Sequence, residues 1–172
     1  KEKFGDAVTS TTGFRGEQSV TVKLESLKPV MRCCHGELCF DYLIDVTSVD
    51  HFENEPRFEM VYELYGLAHH QHLRVKSMVS EEQEVPTVSD LWATANWHER
   101  ECHEMFGIDF KGHPDLRNMY LPTDFEGYPL RKDFPLLART VKPWPDIVDV
   151  EPMPSSGEET PDAEATDEGT AS

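Results

Sequence analysis

The apolar residues of the chain repeat with two periods, and each predicts its own kind of element. Val20, Val22 and Leu24 alternate with Thr21 and Lys23, the spacing of a half-buried strand. Leu27, Val30, Met31 and Cys34 then recur at helical spacing. Ser26 fits the N-cap of that helix, Pro29 its first turn and Gly36 its end. Asp41–Val49 is rich in Tyr, Ile, Val and Thr and predicts a strand. Phe58, Met60, Tyr62 and Leu64 alternate with Glu59, Val61 and Glu63. Leu73, Val75 and Val79 share a face opposite Arg74 and Lys76. Both segments predict half-buried antiparallel strands, linked through Gly66 and the polar His69-His70-Gln71-His72 turn. Thr87-x-x-Asp90 approximates a capping box. It predicts a long helix with the stripe Val88, Leu91, Trp92, Ala95, Cys102, Met105 and Phe106, stopped by Gly107. Strands followed by a packing helix, without regular βαβ alternation, predict an α+β domain with a small antiparallel or mixed sheet.

The flanks break this pattern. Residues 1–16 hold Gly5, Gly13, Gly16 and several Thr, and predict a loose lead-in to a core over 17–107. From 108 to 154, prolines stand at 114, 122, 129, 135, 143, 145, 152 and 154 among large apolar residues such as Phe110, Tyr120, Tyr128 and Trp144. That proline density forbids long helices and central strands. So many aromatics need a surface to lie against, which predicts an extended, irregular C-terminal arm that binds another protein. Residues 155–172 carry no aromatic or large aliphatic side chain and predict a disordered acidic tail.

Charge narrows the function. The 172 residues carry a net charge of −17. Nine acids lie in 143–172 with no Lys or Arg, which leaves −8 on residues 1–142. A general affinity for nucleic acid is not expected of such a chain. The apolar runs are short and interrupted by charge, so no membrane-spanning helix is predicted. Lys1–Gly13 lacks the apolar core of a secretory signal. Cys33, Cys34, Cys39 and Cys102 do not form the separated pairs usual for zinc or iron–sulfur sites, and are read as ordinary thiols.

His98-Glu99-Arg100-Glu101-Cys102-His103 imitates a zinc protease motif, but its two histidines are five residues apart rather than four. On a helix their imidazoles then point about 140° apart. No phosphate-binding glycine loop or nucleophile elbow is present. What remains is a dense charge set: Glu99, Arg100, Glu101, Glu104, His113, Asp115, Arg117, Asp124, Arg131, Lys132 and Asp133. The apolar stripe and the aromatic arm flank these charges, so some are expected to be partly buried and paired. Arg100 and Arg131, each set on an acid, would pin the arm.

The spacing Glu99-Arg100-Glu101-x-x-Glu104-Met105-Phe106, then His113-Pro114-Asp115-Leu116-Arg117, resembles the signature of the respiratory complex I 30-kDa subunit family. Phe125-Glu126-Gly127-Tyr128-Pro129-Leu130-Arg131-Lys132-Asp133-Phe134-Pro135-Leu136 is similar to that family's second hallmark. Asp occurs commonly in the family where Glu104 stands, and Arg where Asn118 stands. The resemblance covers about residues 38–136, and weakly 18–37. It implies a subunit of the hydrophilic arm of NADH:quinone oxidoreductase that binds no cofactor and carries no catalytic residue. FMN, iron–sulfur clusters and quinone would belong to its neighbours. Glu99, Arg100, Glu101, Glu104, His113, Pro114, Asp115, Arg117, Gly127, Pro129, Arg131, Lys132 and Asp133 would serve as signature and interface residues. The large quinone-site subunit would be the principal partner, and membrane association would be indirect. The implied location is the cytoplasmic side of a bacterial plasma membrane, or the matrix side of the mitochondrial inner membrane. The same residues leave room for an equivalent subunit in a related hydrogenase or quinone-reducing complex. A lone metal enzyme would have to use His98, Cys102 and His103, or the Cys33–Cys39 cluster.

Overall fold

The computed structural model describes residues 4–135. The elements in chain order are β1 (Val8–Phe14), β2 (Glu17–Val22), α1 (Leu24–Gly36), β3 (Tyr42–Asp50), β4 (Phe58–Gly66), β5 (Gln71–Val79), β6 (Val85–Pro86), α2 (Ala95–Phe106) and β7 (Phe110–Lys111). Five strands form one mixed sheet in the order β1-β2-β5-β4-β3. β2 runs parallel to β5, and the other pairs are antiparallel. β6 and β7 form a separate short parallel pair. This is the α+β fold that the periodicities predict.

Period-two alternation builds the core. Phe58, Met60, Tyr62 and Leu64 of β4 are at most 1% exposed. They join Leu27, Met31 and Cys34 of α1 and Ala95, Cys102 and Phe106 of α2 in one cluster. Both helices therefore cover the same face of the sheet. The other face carries ion pairs instead: Glu59 with Lys76 and His51, and Arg74 with Glu63 and Glu17. A sheet with one packed and one solvated face produces this division of residues, as alternation requires.

Three expectations are corrected. Residues 8–14, read as a loose lead-in, form β1, the outer strand of a hairpin closed at Arg15 and Gly16, with φ of 52° and 87°. β1 is solvated on both faces after Val8, so it has no alternation to betray it. Helix α1 begins at Leu24 rather than after Ser26, which places Pro29 inside the helix and not in its first turn. Helix α2 begins at Ala95, not at Thr87. Residues 85–87 are drawn away by main-chain bonds from Val85 and Thr87 to the carbonyls of Asp109 and Lys111. Thr87 binds the Ser89 amide, and Asp90 pairs with Lys28, so neither caps a helix.

From Ile108 to the last described residue the chain is irregular apart from β7. Part of the predicted arm is bonded to the domain itself, through Arg100, Glu104, Arg131 and Asp50. The rest of the predicted arm and the acidic tail lie outside the described residues.

Met60 is wholly buried on β4, paired across to Ser77 of β5 and Ser48 of β3. Met60→Ala is expected to lower the unfolding free energy by about 2–5 kcal/mol in urea titrations. A change near zero would contradict this placement of the core.

Candidate functional site

The signature charges fall into three groups along α2 and the irregular chain that returns to it. In the first, Glu99 is fully buried. One carboxyl oxygen accepts the Val88 N–H at 2.7 Å, and the other meets the Thr87 hydroxyl. His113 is enclosed beside it, with Nε2 donating to the Asn96 carbonyl at 3.1 Å and Nδ1 accepting the Asp115 N–H at 3.0 Å. Burial holds His113 below the ordinary histidine range.

In the second group, Glu104 receives the main-chain N–H groups of Met119, Tyr120 and Leu121. Burial pulls this carboxyl upward, but the three amides and Arg100 outweigh it and hold its pKa below the usual range. Arg100 lies over the Trp97 ring at 5.0 Å and donates to the carbonyls of Arg117 and Asn118. Arg100 thus grips the arm through backbone carbonyls and not, as expected, through an acid, because the chain at 117–118 presents its carbonyls to α2. Asn118 contributes a carbonyl, so the side chain that differs from the family pattern is not the group Arg100 uses.

The third group sits where the arm ends its return. Arg57 forms a bidentate pair with Asp50, at 2.9 and 3.0 Å, and reaches Asp133 at 2.7 Å and Glu81 at 3.3 Å. Asp50 also accepts the Lys132 N–H at 2.8 Å. Hydrogen bonding from Arg57 holds Asp50 below the usual aspartate range. A carboxyl lowered in this way adds stability that is present above its unfolded pKa and is lost as pH falls through the folded value. Arg131 donates to the Phe106 carbonyl at 2.6 Å and pairs with Glu81, as the expected pinning of the arm requires. It also lies over Tyr128 at 4.4 Å.

The remaining signature residues shape the path. Gly107 ends α2 with φ 73°, and a Cβ there would meet Tyr128 at 2.5 Å and Arg131 at 2.7 Å. Gly127 has φ 89°. Asp115 pairs with Arg117 in the exposed bend at Pro114, and Pro129 is half-buried beside Leu130, whose N–H binds the Met105 carbonyl. Glu101 is half-buried on α2. Sequence reasoning missed Arg57 and Glu81 as members of this site and gave Asp50 no role in it. The available signal was Arg57 itself, a charge placed directly before the apolar run of β4. Among the described residues, no group of three or more His, Cys, Asp or Glu side chains is placed to hold a metal ion.

Arg57→Ala leaves Asp50 buried without its cation. It is expected to cost about 3–5 kcal/mol in urea unfolding. A loss under about 1 kcal/mol, the scale of a surface ion pair, would show the pair to be solvated.

Comparison with known proteins places this arrangement. Residues 20–140 match the family described as the respiratory-chain NADH dehydrogenase, 30 Kd subunit. The chain is 41% identical over 145 residues to the C subunit of the NADH-quinone oxidoreductase of Citrifermentans bemidjiense, covering 84% of this chain and 90% of that protein. It is 47% identical over 135 residues to the C 2 subunit of the same enzyme in Rhizobium meliloti, covering 77% and 74%. Among solved structures, a trypsin-resistant fragment of Nqo5 superposes with a TM-score of 0.60 at 32% identity, covering 67% of this chain and 94% of that one. A chain of the membrane-bound sulfane sulfur reductase, an archaeal respiratory membrane complex, superposes at 0.68 and 27% identity, covering 79% and 82%. With the Glu99-Arg100-Glu101 signature folded as described, the chain belongs to the 30-kDa subunit family of respiratory-chain NADH dehydrogenase.

Proposed function

We propose that this chain is a non-redox scaffold subunit in the hydrophilic arm of a proton-translocating NADH:quinone oxidoreductase, where it braces the large quinone-site subunit. The observation that carries this reading is the 41% identity, over 145 residues, to the C subunit of an NADH-quinone oxidoreductase. The use of the charged signature supports it. Glu99, Arg100, Glu104, Arg131 and Asp133 are engaged in bonds that fix the path of the chain. On this reading FMN, iron–sulfur clusters and quinone belong to neighbouring subunits, and this chain supplies shape rather than chemistry. Trp97, Tyr120 and Leu130 are 61%, 64% and 52% exposed, and offer the aromatic and aliphatic anchors that protein interfaces use. No described helix is long and apolar enough to cross a membrane. The proposed membrane association is therefore through partners, on the side where NADH is oxidised.

A second reading keeps the fold and changes the assembly. The superposition on a chain of the sulfane sulfur reductase complex favours an equivalent subunit in a related respiratory complex.

One experiment separates the two. The chain is tagged in its native source, extracted in mild detergent and analysed by mass spectrometry with its companions. Recovery of flavin, iron–sulfur and quinone-site subunits with NADH:quinone activity is expected. Recovery of a hydrogenase-like or sulfur-reducing set would favour the second reading. Recovery of the chain alone would contradict both.

A further inference from the structure

Glu99 is the most deeply enclosed acid of the site. Its side chain is fully enclosed, and among the described residues no lysine or arginine forms an ion pair with it. The groups facing it come from four directions. On α1, Lys28 turns to Asp90 and to the Thr87 carbonyl. On β4, the Tyr62 hydroxyl is buried with no hydrogen-bond partner among the described residues, and burial, then the neighbouring Glu99, pushes its pKa up. On α2 itself, Cys102 is a buried thiol, and Arg100 is committed to the carbonyls of Arg117 and Asn118. From the arm comes His113, whose Nε2 is 3.9 Å from the carboxyl. The two bonds of that imidazole, one donated and one accepted, leave it a single proton and no charge. A bare carboxylate in such a place is strongly disfavoured.

The hydrogen bonds around Glu99 can satisfy either charge state. As an acid, Glu99 donates its O–H to the Thr87 hydroxyl, which donates onward to Ser89 Oγ at 2.8 Å. As a carboxylate it accepts from Thr87, and Ser89 Oγ turns to donate to Thr87 Oγ1. The Val88 N–H serves both states. Loss of the proton to solvent, with two hydroxyl rotations and no change of backbone, converts the first form into the second.

We propose that Glu99 is a proton switch at the joint of α2, the 87–90 turn and the start of the arm. It keeps its proton in mildly acidic solution and releases it above neutrality. As the acid, Glu99 leaves the neutral His113 on the Asn96 carbonyl; once the proton is lost, the new negative charge stands 3.9 Å from His113 Nε2 and competes with that carbonyl for its N–H. Burial, the largest influence, pushes the Glu99 carboxyl up to about 7, while Thr87, Val88 and Lys28 draw it back and Asp90 adds to the rise. A folded pKa above the ordinary 4.5 gives stability that is full below pH 4.5 and falls away as pH rises to about 7.

The test is an NMR titration of the full chain with ¹³C-labelled glutamate. One glutamate Cδ is expected to titrate with a midpoint near 7, and the amides of Val88 and His113 to shift with it. Glu99→Gln is expected to remove that resonance and hold both amides at their low-pH positions. If every glutamate titrates below about pH 6, in the ordinary range, the proposal is overturned. It is equally overturned if Glu99 titrates near neutrality while the His113 amide stays still. Should Glu99→Gln fail to fold, the midpoint of the wild-type Val88 amide, bonded directly to this carboxyl, decides alone.

Discussion

A carboxylate withdrawn from water must be given hydrogen bonds, and on this domain the main chain of residues 117–135 gives them. Glu104 collects three successive amides from Met119 to Leu121. Asp50 collects the Lys132 amide together with the Arg57 fork. Irregular chain has unpaired N–H and C=O groups, and beyond the free carbonyls at the end of α2, such as that of Met105 bound by the Leu130 N–H, a helix or sheet surface offers few main-chain partners. Side-chain charges placed on α2 and at the end of β3 close that gap. The arm needs no secondary structure of its own because its polar groups are bound by ionised side chains, whose bonds are stronger than neutral ones.

The helix and sheet layers beneath make this possible. α2 buries Ala95, Cys102 and Phe106 on one side, and that fixes where Glu99, Arg100 and Glu104 stand. Gly107 then lets the chain turn without a side chain in the space held by Tyr128 and Arg131. Arg57 is anchored by Asp50 across the β3–β4 connection and holds Asp133 near the end of the described chain. The family's charged signature therefore reads as a set of folding instructions for an irregular segment. Under the proposed scaffold role, such instructions would let the chain present a fixed shape to its neighbours.

Much of the fold was legible because it rests on periodicity. β4 and β5 announce themselves through alternation, and α2 from Ala95 onward through its stripe. β1 was invisible because a strand solvated on both faces has no pattern. The false start of α2 at Thr87 came from a capping box whose threonine is bound instead to Glu99 and Ser89, a tertiary contact that local spacing does not encode. The site was legible in part. Its residues lie in one dense stretch, and pinning by Arg131 follows from that stretch alone. Arg57 and Glu81 did not stand out, because they reach the site only once β4 and β5 are paired.

The central claim is that buried carboxylates hold the irregular chain on the domain. Amide hydrogen exchange in the full chain tests it most directly. Protection is expected at Met119, Tyr120, Leu121 and Lys132, and Glu104→Ala should abolish it at the first three while Lys132 stays protected. Exchange of all four amides at the rate of an unstructured peptide in the unaltered chain would contradict the account.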